Sequence, residues 1–113
     1  MKPPRTIKLG SRTVSIHMMP PVFDDISEQP GLSQPHERQI ILCESTVSDT
    51  QRETLLHEIF HQALHLAGLT CAHDDVEADI SAELEERLTI RITPILLGLL
   101  RDNKRLVEFL VER

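Results

Sequence analysis

The first half of the chain alternates apolar and polar positions, which is the pattern of short strands. Residues 6–19 alternate around a Gly-Ser step, and this pattern predicts a β-hairpin. Its apolar positions are Ile7, Leu9, Val14 and Ile16. Residues 20–35 are rich in turn formers and are interpreted as a long loop, whereas residues 36–45 contain a short apolar run that predicts a further strand. A small antiparallel sheet of two to four strands is therefore expected.

The second half changes to helical periodicity. In residues 48–68 apolar side chains recur three and four positions apart, with Ser48, Asp49 or Thr50 available as an N-cap and Gly68 as a stop signal. A second helix is expected to begin at Asp74 or Asp75 and to run toward a proline.

Pro94 is expected either to kink that second helix or to begin a new one. The terminal residues 101–113 predict a last helix, with Asn103 as its cap. The pattern as a whole predicts an α+β fold in which the small sheet is followed by three to four helices. We expect one domain over residues 1–113, with residues 1–5 as a flexible tail.

Composition narrows the class of protein. The 113 residues are 40% hydrophobic and 27% charged, as in soluble globular proteins. A net charge of −6 argues against partners that need a basic surface, so we expect neither nucleic acid nor a membrane as a partner. Cys43 and Cys71 lie far apart and are expected to be reduced thiols. The absence of a secretion signal or apolar span predicts a cytoplasmic location.

The segment "LLHEIFHQALH" (55–65) carries the clearest chemistry. His57 and His61 are four residues apart, so a helix places both imidazoles on one face, where they can bind one cation. Glu58 follows the first histidine and can reach a water on the metal without displacing a ligand. This HExxH arrangement indicates zinc, with Glu58 as the general base on a zinc-bound water.

The alternative is a stripe of histidines without a metal, on the surface or in the core. Histidine is a mediocre helix former, so three histidines at four-residue spacing, ending at His65, require a reason other than helix formation. The N-cap signal at residues 48–50 and the helical periodicity also favour a metal-binding site on a regular helix. A metal site is the preferred interpretation.

A zinc hydrolase needs a third protein ligand and one open coordination position. His65 continues the stripe but lies about 12 Å along the helix axis from the first histidine, which is too far for one ion. The position ten residues after that histidine is Ala67, so the metzincin pattern is absent. A glutamate from the second helix remains. The candidates within reach are Glu77, Glu83, Glu85 and Glu86.

Residues 54–69 and 85–110 resemble small phage- and prophage-encoded zinc metallopeptidases, which are distant relatives of the ImmA/IrrE-type enzymes. The resemblance implies a minimal zincin-like metallopeptidase domain over residues 1–113, acting in the host cytoplasm. It also implies that His57, His61 and a glutamate of the following helix bind zinc, while Glu58 acts as the base.

The spacing in the larger relatives places small and bulky apolar residues after the glutamate ligand, and counting from Glu86 gives the better match. The matching positions are Thr89, Ile92, Thr93, Leu96 and Leu97. Glu86 is therefore assigned as the third ligand. Glu85 stays open as an alternative, and so does Asp75, because residues 71–82 carry their own partial likeness to the relatives.

The resemblance further implies an edge strand that pairs with a peptide or protein substrate. Residues 38–44 are assigned this role. The substrate-binding residues are expected to be Ile40, Ile41 and Leu42. Stabilising the oxyanion requires a donor besides zinc, and the chain has no tyrosine. The candidates are His65, His73, His36 or an arginine.

Two other functions stay open. Residues 61–73 are similar to the signature of YbeY-like endoribonucleases, in which His61, His65 and His73 would bind the metal. Alternatively, zinc could stabilise a non-catalytic interaction or regulatory protein, with Cys71 as a further ligand.

The C-terminal segment is apolar enough to allow a homodimer. Its apolar residues are Leu106, Val107, Phe109, Leu110 and Val111.

Overall fold

The structure, a computed structural model of the chain, describes residues 2–20, 31–44, 48–70 and 79–112. The described strands are β1 (Thr6–Leu9), β2 (Arg12–Met19), β3 (Gly31–Gln34) and β4 (Gln39–Cys43). The described α-helices are α1 (Ser48–Leu66), α2 (Ala82–Asp102) and α3 (Lys104–Val111). A single 3₁₀ turn, Pro35–Glu37, joins β3 to β4. The predicted α+β fold, a small sheet followed by helices, is confirmed.

The sheet has the strand order β1-β2-β4-β3 and is mixed. The two outer pairs are antiparallel, but β2 and β4 run parallel, with Ile16 opposite Ile40. The prediction of a wholly antiparallel sheet is therefore wrong at this central pair. Alternation along a strand indicates which face is buried, but it does not indicate the direction of a neighbouring strand that a distant part of the chain supplies.

Strand β3 lies within residues 20–35, for which the sequence predicts a long loop. Gly31, Ser33 and Gln34 are poor strand formers, so the local pattern favours a turn. Pairing with β4 supplies the missing stabilisation through the backbone, with Leu32 opposite Ile41. The β1–β2 hairpin was predicted correctly. Its turn is tight because Gly10, at a φ of +59°, adopts the left-handed conformation that glycine tolerates best.

The hydrophobic core lies between one face of the sheet and α1. Four aliphatic side chains at its centre are between 0% and 7% exposed: Val14, Ile16, Ile40 and Leu42. Leu55 and Ile59 of α1 pack against this cluster. The alternation of β2 and β4 therefore fixes the face of the sheet on which α1 lies, and with it the position of the histidine helix.

Helix α1 ends where the sequence predicted. The amide of Gly68 donates to the carbonyl of His65 at 3.0 Å, and the amide of Leu69 donates to Leu64 at 3.0 Å. This is the Schellman pattern, in which Gly68 adopts a φ of +76°.

Helix α2 does not begin at Asp74 or Asp75. It begins at Ala82, and the Ser81 hydroxyl caps it by accepting from the Leu84 amide at 3.1 Å. The two aspartates lie outside the described residues. Pro94 lies inside α2, which continues to Asp102, so it does not begin a new helix. Asn103 occupies the predicted N-cap position of α3, but its side chain makes no capping bond and instead donates to the Leu99 carbonyl at 3.0 Å.

Helices α1 and α2 pack antiparallel. Arg101, near the end of α2, lies 3.4 Å from Asp49 at the start of α1, while Glu85 near the start of α2 bonds His61 far along α1. Thr89 and Thr93 are 0% and 1% exposed, and such small side chains allow the helices to approach closely. The first turn of α2 is thereby held against the histidines. Among the described residues, none of the helices combines the length and the hydropathy that spanning a lipid bilayer requires.

Candidate metal centre

The two histidines of the HExxH segment lie one turn apart on the face of α1 that meets α2. Their ring centroids are 4.9 Å apart, with the ring planes at 65°. The Nε2 atoms of His57 and His61 approach to 3.2 Å. The side chains are 22% and 15% exposed, so both rings are largely shielded from water. The structure therefore brings these two nitrogens together, as the helical spacing predicted.

Glu86 of α2 completes the cluster. One carboxylate oxygen lies 3.1 Å from His57 Nε2, and the other lies 3.1 Å from His61 Nε2. Zinc binds nitrogen and oxygen at about 2.0–2.2 Å, so two ligands at a tetrahedral angle are separated by about 3.3 Å. The 3.2 Å between the two Nε2 atoms is close to that edge length, and each Nε2 has a different Glu86 oxygen at 3.1 Å. Among the described residues, His57, His61 and Glu86 are the group whose donor atoms could hold a metal ion.

Glu85 occupies a different position. Its carboxylate lies 2.8 Å from His61 Nδ1, on the side of the ring away from the shared Nε2 position. Of the two adjacent glutamates, Glu86 therefore has the geometry of a candidate metal ligand, and Glu85 contacts the other ring nitrogen of His61. Asp75, the third alternative from the sequence, lies outside the described residues.

The surroundings of His57 favour its neutral form. Burial lowers the pKa of His57 below its usual value of 6.5, and the charge of His61 acts in the same direction, although Glu86 opposes both. A metal ligand must present a lone pair, so the neutral imidazole is the competent form. The electrostatics of the site therefore agree with its geometry.

Glu58 is buried beside the cluster. It is 7% exposed, and its carboxylate lies 3.8 Å from His57 Nε2. Burial, opposed by His61 and assisted by Glu86, raises the pKa of Glu58 from 4.5 to about 7. A group with a pKa near the working pH is best suited to exchange a proton in catalysis. Glu58 therefore has the location and the proton affinity of a general base.

A cleft of about 880 Å³ opens onto the cluster. It is bounded by α1, by the first turn of α2 and by strand β3. The residues that β3 and the turn after it contribute are Gly31, Leu32, Ser33 and Pro35. The other lining residues are Thr50, Glu53, Thr54, His57, Glu58, His61, His65, Thr70, Glu85 and Glu86. The three candidate ligands and the candidate base thus face one solvent-connected space.

Strand β4 does not have the predicted edge position. It pairs with β2 on one side and with β3 on the other, so its backbone groups are already used. Ile40 and Leu42 are fully buried in the core, and Ile41 faces the opposite side of the sheet. The assignment of residues 38–44 as a substrate-binding edge strand is wrong for this reason. The strand at that edge of the described sheet is β3.

One candidate oxyanion donor can be located. His65 lines the cleft, and its Nδ1 lies 3.1 Å from the guanidinium of Arg12. Arginine can only donate, so Nδ1 must accept and the ring proton of neutral His65 lies on Nε2. Arg12 was missed from the sequence because 53 positions separate the two residues and no local signal connects them.

The other oxyanion candidates, the side chain of His36 and residue His73, are outside the described part of the chain. The same holds for two ligands of the alternative functions, His73 in the endoribonuclease reading and Cys71 in the structural-zinc reading. These assignments stay predictions.

Comparison with known proteins adds no assignment. No protein-family model, no curated protein and no solved structure matches the chain. The class of protein must therefore be argued from the fold and from the geometry of the site.

Proposed function

We propose that this chain is a zinc-dependent metallopeptidase, a minimal zincin-like α+β domain that hydrolyses peptide bonds in a particular protein substrate. One observation carries the proposal. Two imidazole nitrogens of α1 lie 3.2 Å apart and each has an oxygen of the α2 residue Glu86 at 3.1 Å, with a buried carboxylate directly beside them. A two-histidine, one-glutamate ligand set with an open fourth position is that of thermolysin-type catalytic zinc.

The chemistry divides among four side chains. His57, His61 and Glu86 would hold zinc, which supplies Lewis-acid polarisation of the scissile carbonyl and lowers the pKa of water. Glu58 would accept the proton of the attacking water and later deliver it to the leaving amine, a role for which a pKa of about 7 is suitable. Burial keeps its carboxylate beside His57 and out of bulk solvent.

A polypeptide substrate is supported by the edge strand beside the cleft. Strand β3 pairs only with β4 among the described strands, and Gly31, Leu32 and Ser33 line the cleft. An extended peptide could therefore add to β3 through main-chain hydrogen bonds, with its carbonyl directed at the metal position. The cleft is broad and largely open, so recognition would depend on a folded substrate surface more than on a deep side-chain pocket.

Elemental analysis tests the metal centre. Purified wild-type protein should contain one zinc per chain, and Glu86→Ala should lose it or bind it much more weakly. Glu83→Ala is the matched control, since Glu83 lies on the same helix turn and is 83% exposed. Zinc retained at wild-type affinity in Glu86→Ala would contradict the assignment of Glu86.

Turnover is tested with a second variant. Glu58→Gln should keep zinc and lose cleavage of a protein substrate, because the amide cannot accept the proton. Zinc in both proteins with no cleavage of any protein by the wild type would favour the non-catalytic alternative. Loss of zinc on substitution of His73, but not of Glu86, would favour the endoribonuclease alternative.

A further inference from the structure

Glu85 is held at the back of the candidate metal centre by three separate contacts. Its amide donates to the Ser81 carbonyl at 2.9 Å, and its own carbonyl accepts from the Thr89 hydroxyl at 2.7 Å. Its carboxylate lies 2.8 Å from His61 Nδ1. The side chain is 18% exposed, compared with 51% for Glu86 and 83% for Glu83. This shielding strengthens the bond to the imidazole, because water competes poorly for either partner.

We propose that Glu85 is a positioning residue that fixes the tautomer and the ring orientation of His61 for metal binding. The inference rests on the proposed metal centre and extends it by assigning the adjacent glutamates different roles. Glu86 is a ligand, and Glu85 acts through His61 without touching the ion.

The argument follows from the number of protons on an imidazole. A neutral ring carries one proton, on either Nδ1 or Nε2. A carboxylate can only accept, so the Glu85 carboxylate at 2.8 Å holds the proton on Nδ1 of His61. The lone pair is then on Nε2, which lies 3.2 Å from His57 Nε2 and 3.1 Å from Glu86. Without Glu85 the ring could adopt the other tautomer or rotate, and both changes remove the lone pair from the shared position.

The two glutamates can take these roles because neighbouring helix positions are separated by about 100°. Glu86 reaches the Nε2 side of both rings, whereas Glu85 reaches the opposite nitrogen of one ring. A carboxylate bonded to a ligating histidine typically contributes about 10–100-fold to metal affinity. Loss of a direct ligand lowers metal affinity further. The two roles therefore predict that zinc affinity falls in the order wild type, Glu85 variant, Glu86 variant.

The experiment measures zinc affinity by competition with a chromophoric chelator. Glu85→Gln keeps a neutral acceptor and should bind zinc more weakly than wild type. Glu85→Ala should bind zinc more weakly still, with an affinity about 10–100-fold below that of wild type. Both variants should still bind one zinc per chain. Glu83→Gln and Glu83→Ala, at the exposed position of the same turn, should match the wild type. Glu86→Ala should be weaker than any Glu85 variant.

A second readout separates positioning from a general effect on folding. In zinc-loaded protein labelled with ¹⁵N-histidine, long-range ¹H–¹⁵N correlations report which ring nitrogen carries the proton. Wild-type His61 should show a protonated Nδ1 whose proton signal is shifted downfield by the carboxylate. In Glu85→Ala that signal should move upfield or vanish by exchange with water, while the His57 signals change little.

The outcomes distinguish the two proposals. If wild-type protein binds no zinc, the proposed function fails and the role of Glu85 fails with it. If wild type binds zinc but Glu85→Ala matches Glu83→Ala in affinity and in the His61 signals, only the Glu85 inference is overturned. If Glu85→Ala loses zinc while Glu86→Ala keeps it, Glu85 is the ligand and the inference is likewise overturned.

Discussion

Replacing Glu58 with glutamine should stabilise the metal-free protein at neutral and alkaline pH. Glu58 is 7% exposed, and burial raises its pKa from 4.5 to about 7. In the unfolded chain the carboxyl ionises near 4.5, whereas in the folded protein it keeps its proton until about pH 7. The folded state therefore binds more protons between these values, and its stability falls as pH rises through this window. Glutamine has a similar shape but does not ionise in this pH range.

The size of the effect follows from the shift. A difference of about 2.5 pKa units, from 4.5 to about 7, corresponds to about 3 kcal/mol at 1.36 kcal/mol per unit. The contribution is fully present below pH 4.5 and is lost once the pH exceeds about 7. A small domain has a free energy of unfolding of about 5–15 kcal/mol, so this loss is a large share of the total.

Urea denaturation with a chelator present, at several pH values from 4.5 to 8.5, measures this difference. The stability of Glu58→Gln minus that of wild type should rise with pH by about 3 kcal/mol and level off above pH 7. His57 titrates in the same window with the opposite sign, because its lowered pKa costs stability at acid pH, but this contribution is common to both proteins.

The matched control is Glu108→Gln, an exposed glutamate of α3 that does not line the cleft. It removes one negative charge without removing a buried carboxylate. A stability difference for Glu58→Gln that is as flat with pH as that of the control would refute the reasoning, since it would mean that folding does not perturb Glu58.

Three further perturbations test other parts of the structure. Gly31→Ala places a Cβ 2.5 Å from Thr54 Cγ2, so the free energy of unfolding in urea should fall by about 1–3 kcal/mol. Adding Thr54→Ser, which removes that methyl group, should restore most of the loss. An unchanged stability of Gly31→Ala would contradict the close approach of β3 to α1. Excess zinc should raise the melting temperature of wild type in calorimetry but not that of Glu86→Ala, because only a ligand that binds the folded state stabilises it; equal shifts would place the ion elsewhere. Homodimer formation through α3 stays a prediction from the apolar C-terminal segment, in which Phe109 is 74% exposed. Light scattering should show a dimer for wild type and a monomer for Phe109→Asp, and a monomeric wild type would contradict this prediction.

Local periodicity was enough to predict the helix that carries the candidate metal centre. Residues four apart on a helix share a face whatever surrounds them, so the pairing of His57 with His61 and the position of Glu58 follow from the sequence alone. The stop at Gly68 and the hairpin around Gly10 follow in the same way, because each needs a backbone conformation that glycine adopts readily.

The features that sequence reasoning missed depend on contacts between distant parts of the chain. Strand β3 has little strand propensity and forms because β4 lies beside it. The parallel pairing of β2 with β4 and the contact of Arg12 with His65 are of the same kind. The position of Glu86 against both histidines also depends on such packing. Spacing derived from the resemblance favoured Glu86, but only the packing of α2 on α1 determines that it meets the Nε2 atoms while Glu85 meets Nδ1.

The charge of the site connects its stability with its proposed activity. Glu58, Glu85 and Glu86 lie around two imidazoles, so with neutral rings and ionised carboxylates the centre is strongly negative. The effect is visible in Glu58, whose pKa is raised by burial and further by Glu86. A divalent cation between His57, His61 and Glu86 would offset this repulsion and favour the ionised form of Glu58, which is the form a general base requires.

Metal binding and ionisation of Glu58 should therefore be linked. By linkage, zinc should bind wild type more tightly as pH rises toward 7, and binding near pH 6.5 should release a proton from Glu58 in addition to any from the histidines. Calorimetric titration in buffers of different ionisation enthalpy counts those protons. Glu58→Gln should release fewer protons than wild type at that pH. Equal proton release by the two proteins would mean that the cation does not lower the pKa of the buried Glu58 carboxyl. Metal binding would then not produce the ionised form that a general base requires.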